Sequence, residues 1–194
     1  MIGDYTILIL SWVAFYSLHS LLASDKLTRK YQPTEASRFN RYRLLFSLFF
    51  TIFLLVIMVF SVRITEDFLF EQSRQTIYIG LLLTTVGVLI IKRAFRHMSV
   101  RSFLGLQKEQ QGKKELVIQG AYAWVRHPIY SGTLLIFIGY LIYYPTGSSL
   151  IHLLMTLVYL PIGIRLEEQK LTALFGEDYL RYKTRVKAVI PRLL

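Results

Sequence analysis

Thirteen residues, Gly120 to Gly132, read Gly-Ala-Tyr-Ala-Trp-Val-Arg-His-Pro-Ile-Tyr-Ser-Gly and set a guanidinium, an imidazole and three aromatic rings around one proline. Pro128 stands where a long apolar segment begins. Proline is tolerated in the first turn of a helix because its missing N–H would have had no partner there, so Arg126 and His127 are expected at a helix mouth. Downstream, Glu167 and Glu168 directly follow another apolar segment. A cation, an imidazole, aromatic faces and a carboxylate pair can hold and align a small charged ligand. No residue is an evident dedicated base, so the chemistry would rest on alignment in a dry, electrostatically shaped site.

Each feature also has a plainer reading. Arg126 and His127 alone could snorkel to phosphate headgroups, and Tyr122 and Trp124 alone would be interfacial aromatics. Glu167 and Glu168 alone would be a solvated helix face, with Arg165 three residues before Glu168 and within helix-pair reach of it. His19, near the end of the first apolar block, is either a functional polar ring inside a membrane or a wet one. His97 and His152 have no ligand-spaced partners, and no metal is expected.

The elements that must position these residues are apolar blocks. The 194 residues are 54% hydrophobic and 14% aromatic, and the mean hydropathy is +0.44. Such blocks point to a lipid bilayer as the principal partner. The composition predicts an all-α polytopic membrane protein of one domain, residues 1–194, with five transmembrane helices near 5–22, 44–62, 76–91, 129–144 and 150–164. The first block lacks the basic start and small-residue cleavage site of a signal peptide, and reads as a retained span. Gly80 and Gly87 offer small faces for close approach of another helix. Pro145-Thr146-Gly147-Ser148-Ser149 has turn composition and makes the last two spans an antiparallel hairpin, with a kink expected at Pro161. Beyond Ile164, Leu166, Leu171, Leu174 and Phe175 keep helical spacing, with Gly176 as a stop, and predict interfacial helices beneath the bundle. Tyr179 and Tyr182 are expected to pack there.

A net charge of +11 would usually raise nucleic acid as a partner. Here the basic residues are divided among segments between apolar blocks, and no nucleic-acid partner is expected. Residues 23–43, 92–128 and the tail after 164 carry six, eight and seven Lys and Arg, 21 of the chain's 23. With five spans and the N-terminus outside, all three lie on one side, which the positive-inside rule makes cytoplasmic. Residues 92–128 and 165–194 then form a cytoplasmic ligand-binding part. The chain has no cysteine, which excludes disulfides, thiolate metal sites and a cysteine nucleophile. No Gly-x-Gly-x-x-Gly or phosphate-binding loop follows a strand, so a soluble-type nucleotide fold is absent.

The run through Gly132 resembles the Arg-His-Pro-x-Tyr-x-Gly signature of the isoprenylcysteine carboxyl methyltransferase family, which includes phospholipid N-methyltransferases and other small integral-membrane methyltransferases. The resemblance continues through Glu167-Glu168, Leu171, Phe175-Gly176, Tyr179 and Tyr182, and covers the chain from about Gln107 onward. It implies a methyltransferase that uses S-adenosylmethionine and releases S-adenosylhomocysteine. Carried over by position, the donor pocket would comprise Gln107, Glu115, Leu116, Val117, Tyr122, His127, Pro128, Ile129, Tyr130 and Glu167. His127 would face the donor carboxylate and Glu167 its amino group, with Arg126 and Glu167 as the catalytic pair. Lys114 stands where family enzymes often have a histidine.

The methyl acceptor, a small or lipophilic thiol, amine, lipid or carboxylate, stays open. Isoprenylcysteine enzymes have an arginine four residues before the first glutamate, where this chain has Gly163. Arg165 lies about 200° further round a helix and cannot substitute. The stretch Leu18-His19-Ser20-Leu21-Leu22-Ala23-Ser24 is similar to small bacterial relatives that include methanethiol S-methyltransferases, which implies a bacterial or archaeal cytoplasmic membrane. Two rivals remain at this stage. Membrane reductases using NADPH carry a similar run but often continue with glutamate, where this chain has Thr133. A non-catalytic membrane scaffold is the other.

Overall fold

The computed structural model describes residues 2–24, 36–65, 67–97 and 115–191. The described chain is helical: α1 (Ile2–Leu22), α2 (Ala36–Val62), α3 (Arg74–Ala94), a 3-10 turn (Phe95–His97), a second 3-10 turn (Gly120–Ala123), α4 (Pro128–Tyr143), α5 (Gly147–Phe175) and α6 (Glu177–Arg185). The only β contacts among the described residues are two isolated bridges, Phe68 with Thr146 and Val125 with Lys187.

The expectation of five spans is met in part. Among the described residues four helices, α1, α2, α3 and α5, are long and apolar enough to cross a membrane. The fifth, α4, is apolar but has 16 residues, about 24 Å at 1.5 Å per residue against a core of roughly 30 Å. Its start is fixed by Pro128 at the first helical position, with His127 as the N-cap.

The helix ends also moved, for local reasons. α3 begins at Arg74 because Ser73 and Thr76 form a capping box. α5 begins at Gly147, inside the stretch read as a turn, because Thr146 and Ser149 exchange the same pair of bonds. The helix then runs unbroken through Pro161 for 29 residues. The segment expected as a separate interfacial helix is thus its continuation, and Glu167 and Glu168 ride on a helix anchored in the bundle. Gly176, at φ 56°, ends it and α6 follows.

α3 and α4 pack through glycines, as the small faces of Gly80 and Gly87 predicted. A Cβ built on Gly87 would lie 2.6 Å from the Gly132 carbonyl oxygen, and one on Gly80 would lie 2.7 Å from that of Gly139. Without side chains the two backbones touch, the usual basis of close helix approach in lipid. Gly132 ends the Arg-His-Pro-x-Tyr-x-Gly run, so this contact sets the height of the helix mouth.

α1 lies parallel to α5 along a polar ladder. Trp12 Nε1 donates to His152 Nδ1 at 2.8 Å, Tyr16 bonds Thr156 at 3.0 Å and Ser20 bonds Tyr159 at 2.8 Å. Around it sit the buried residues Leu8, Trp12, Ile57, Ile64 and Phe137. The ladder brings His19 and Ser20 beside the middle of α5.

Candidate functional site

The helix mouth is closed by the chain's own tail. Arg126 and His127 donate their backbone N–H groups to the carbonyls of Lys187 and Ala188 at 2.8 and 2.9 Å. Ser131 Oγ donates to the Val189 carbonyl at 2.6 Å. His127 caps α4 without a side-chain cap bond, so its imidazole is free to turn toward α5. Tyr182, from α6, donates its hydroxyl to the Tyr122 carbonyl at 2.6 Å and fixes the 3-10 turn. Tyr179 and Tyr182 are both buried, in line with a packing role.

Beneath the tail lies a knot of charges. Arg126 sends Nε and Nη2 to Glu168 Oε1 at 2.9 and 2.6 Å, while its Nη1 donates to the carbonyls of Lys183 and Val186. Lys183 reaches the other oxygen of Glu168 at 2.5 Å. The ion pair of Glu168 is thus made with Arg126 and Lys183. His127 lies between the paired glutamates, with Nδ1 3.3 Å from Glu167 Oε2 and Nε2 3.4 Å from Glu168 Oε1. Glu168 is buried and Glu167 is exposed. One carboxylate is structural, and the other faces open space.

That space is a cavity of about 650 Å³ bounded by α1, α2, the second 3-10 turn, α4 and α5. Tyr122, Arg126, His127, Pro128, Ile129, Tyr130 and Glu167 all line it. Sequence reasoning missed Ser20, Phe46, Tyr159 and Lys170, which share the wall. Ser20 and Tyr159 were legible only as polar groups near the ends of apolar blocks, and Phe46 carried no signal within an aromatic-rich span. Lys170 donates to the Ala23 carbonyl across the rim. Burial first, and the Glu167 carboxylate second, push the Tyr122 phenol up to about 12, so it meets the cavity as a neutral group.

Not every expected residue is there. Glu115 and Leu116 line a separate groove of about 700 Å³ against α6, because residues 115–118 approach behind the 3-10 turn that Tyr182 pins. Val117 lines neither space. Gln107, with Lys108, Lys113 and Lys114, lies outside the described residues, as does most of the predicted cytoplasmic loop. Arg126, expected to be catalytic, has its guanidinium committed to Glu168 and two carbonyls. His127, expected to meet a ligand carboxylate, turns both ring nitrogens to carboxylates already present.

The comparisons with known proteins bear on this arrangement. The phospholipid methyltransferase family model matches residues 75–178. Methanethiol S-methyltransferase 1 of Bradyrhizobium diazoefficiens is 41% identical over 70 residues, 36% of this chain and 24% of that protein. The methanethiol S-methyltransferase of Crocosphaera subtropica is 37% identical over 70 residues, 27% of its length. Human protein-S-isoprenylcysteine O-methyltransferase is 29% identical over 131 residues, 65% of this chain and 46% of that protein. The chain thus spans less than half the length of these relatives, and no solved structure matches it. The family match extends over more than half of the chain, from α3 through the helix mouth and the glutamate pair into α6, and places the chain in the phospholipid methyltransferase family.

Proposed function

We propose that the chain transfers a methyl group from S-adenosylmethionine to a small or lipophilic acceptor at the cytoplasmic face of a membrane. The observation that carries this reading is the convergence of Tyr122, His127, Pro128, Ile129, Tyr130 and Glu167 on one cavity. The cavity holds a carboxylate for the donor's ammonium, Glu167, and aromatic faces for its purine, Tyr122 and Tyr130. Bound there, the donor would supply an electrophilic methyl on a sulfonium.

The chain's own residues align and shield. Glu167 holds the donor ammonium, and His127, at 3.3 Å, orients that carboxylate. Arg126 acts through Glu168, fixing the height of His127, and is a positioning residue. Tyr122 and Tyr130 narrow the space and exclude water, so that alignment in a dry site supplies the rate.

In this reading α4 is the fifth pass and the N-terminus lies outside. That topology gathers 21 of the 23 basic residues on the cytoplasmic side. Family membership favours methyl transfer over a nicotinamide-dependent reductase or a scaffold.

Calorimetric titration of the detergent-purified chain with S-adenosylhomocysteine tests the reading, with NADPH as comparison and Glu167→Ala as control. Saturable binding, lost in the variant, is the expected result. Binding of NADPH alone, or of neither ligand to folded protein, would overturn it.

A further inference from the structure

Transfer to a thiol releases a proton, and most titratable groups of the cavity are already occupied. His127 faces Glu167 and Glu168 at 3.3 and 3.4 Å. Arg126 is spent on Glu168 and two carbonyls, and Lys170 donates to the Ala23 carbonyl. Tyr122 is held as a neutral phenol. A second imidazole, His19, also lines the cavity. Its ring is held by aromatic contacts, with centroids 6.2, 5.2 and 4.9 Å from Phe15, Phe46 and Phe50. It makes no ion pair among the described residues. Lining the cavity with it are Phe46 from α2, Tyr130 from α4, and Tyr159, Glu167 and Lys170 from α5, with Tyr16 stacked on Tyr159 and Tyr42 in ring contact with Phe46.

The same wall discriminates among acceptors. A carboxylate acceptor needs a cation, and both lining cations, Arg126 and Lys170, are engaged. Position 163, from which an arginine could reach such a carboxylate, is a glycine whose added Cβ would lie 3.0 Å from the Tyr130 hydroxyl. An ammonium acceptor would arrive beside Lys170 carrying like charge. An uncharged thiol needs no charged partner and can lie against the aromatic faces of Phe46 and Tyr159, beside the His19 imidazole. Resting on the methyl-transfer reading above, we propose that the cavity's acceptor is a small apolar thiol seated against Phe46, and that His19 is the catalytic residue that takes its proton.

The step balances. The S–H bond breaks and its proton passes to a ring nitrogen of His19, while the freed sulfur pair forms the new S–CH3 bond. The donor's methyl–sulfur bond breaks with its electron pair remaining on the donor sulfur. His19 then releases the proton to cytoplasmic water. The products are a methyl thioether, S-adenosylhomocysteine and one proton.

The test uses the full chain in nanodiscs with S-adenosylmethionine and ethanethiol, reading ethyl methyl sulfide by headspace chromatography across pH 6 to 10. His19→Gln keeps a polar side chain but cannot take a proton. It should bind S-adenosylhomocysteine within about twofold of wild type and lose about 10²-fold or more in kcat near pH 7, the usual scale of a general base. The deficit should shrink at alkaline pH, where solvent supplies thiolate. A merely structural role would not give that pH-dependent rescue. A His19→Gln enzyme with wild-type kcat and pH profile would overturn the proposal. So would wild-type protein that binds S-adenosylhomocysteine and methylates lipid or amine but not ethanethiol. Absence of S-adenosylhomocysteine binding in folded wild type would instead remove the methyl-transfer reading on which the proposal stands.

Discussion

Arg126 delivers two of its nitrogens, at 2.9 and 2.6 Å, to a single oxygen of Glu168. The pair is about nine-tenths buried on both sides and joins the helix mouth to α5, while the remaining guanidinium nitrogen holds the end of α6. Breaking a buried pair by removing one partner leaves a charge without compensation. Arg126→Gln should therefore cost about 3 kcal/mol, lowered here because Lys183 still reaches the other oxygen. Lys183 is 45% exposed, and Lys183→Gln should cost under about 1 kcal/mol. Thermal unfolding in detergent, read beside S-adenosylhomocysteine affinity, checks the order. Equal effects of the two variants would refute it.

A Cβ on Gly132 would lie 2.5 Å from Ile91 Cγ1 and 2.6 Å from the Gly87 carbonyl oxygen. Backbone cannot yield as a flexible side chain can, so Gly132→Ala must separate α3 from α4 and raise the helix mouth. Overpacking of this kind costs about 1–3 kcal/mol. Gly3→Ala, where nothing lies within 4 Å, is the matched control and should be neutral. The readout is the unfolding midpoint of both variants.

The glycine faces of α3 were legible because a small residue in an apolar block has few reasons to be there other than close approach. The helix mouth was legible because its proline, arginine and histidine are neighbours in sequence. The Arg126 and Glu168 pair was not, since 42 residues separate its members and Arg165 offered a nearer partner. The α1 and α5 register was also hidden, because α1 is apolar on nearly all sides and its pattern points in no direction. The start of α5 was missed for a local reason: Thr146 and Ser149 have turn composition, and only their reciprocal bonds make them a cap. The placement of Glu115 and Leu116 depends on α6, whose docking the local sequence does not encode.

Tyr182 links the tail to the wall of the cavity through its bond to the Tyr122 carbonyl at 2.6 Å. Tyr182→Phe retains the ring and leaves that carbonyl short of a donor, a loss of about 1 kcal/mol in stability. Because Tyr122 lines the cavity, S-adenosylhomocysteine affinity should fall several-fold in the same variant. Calorimetry of the purified variant measures both the folded fraction and the affinity. Full stability with unchanged affinity would show that the 3-10 turn holds its place without this bond.

The polar ladder between α1 and α5 should separate stability from activity along one helix face. At the end nearer the N-terminus of α1, Trp12 is 1% exposed and bonded to a fully buried His152. Trp12→Phe therefore loses both a membrane-embedded hydrogen bond, worth about 0.6 to 1.7 kcal/mol, and packing volume. At the other end Ser20 bonds the Tyr159 hydroxyl at 2.8 Å, and both residues line the cavity. Ser20→Ala removes one such bond from a partly exposed position, so stability should change by less than about 1 kcal/mol. The freed Tyr159 hydroxyl can then turn into the cavity, and turnover should change instead. Unfolding and methyl-transfer assays on the two variants should give opposite patterns: Trp12→Phe less stable at near-normal kcat in its folded fraction, Ser20→Ala stable with altered kcat. Parallel losses in both assays would mean that the ladder acts as one structural unit from end to end.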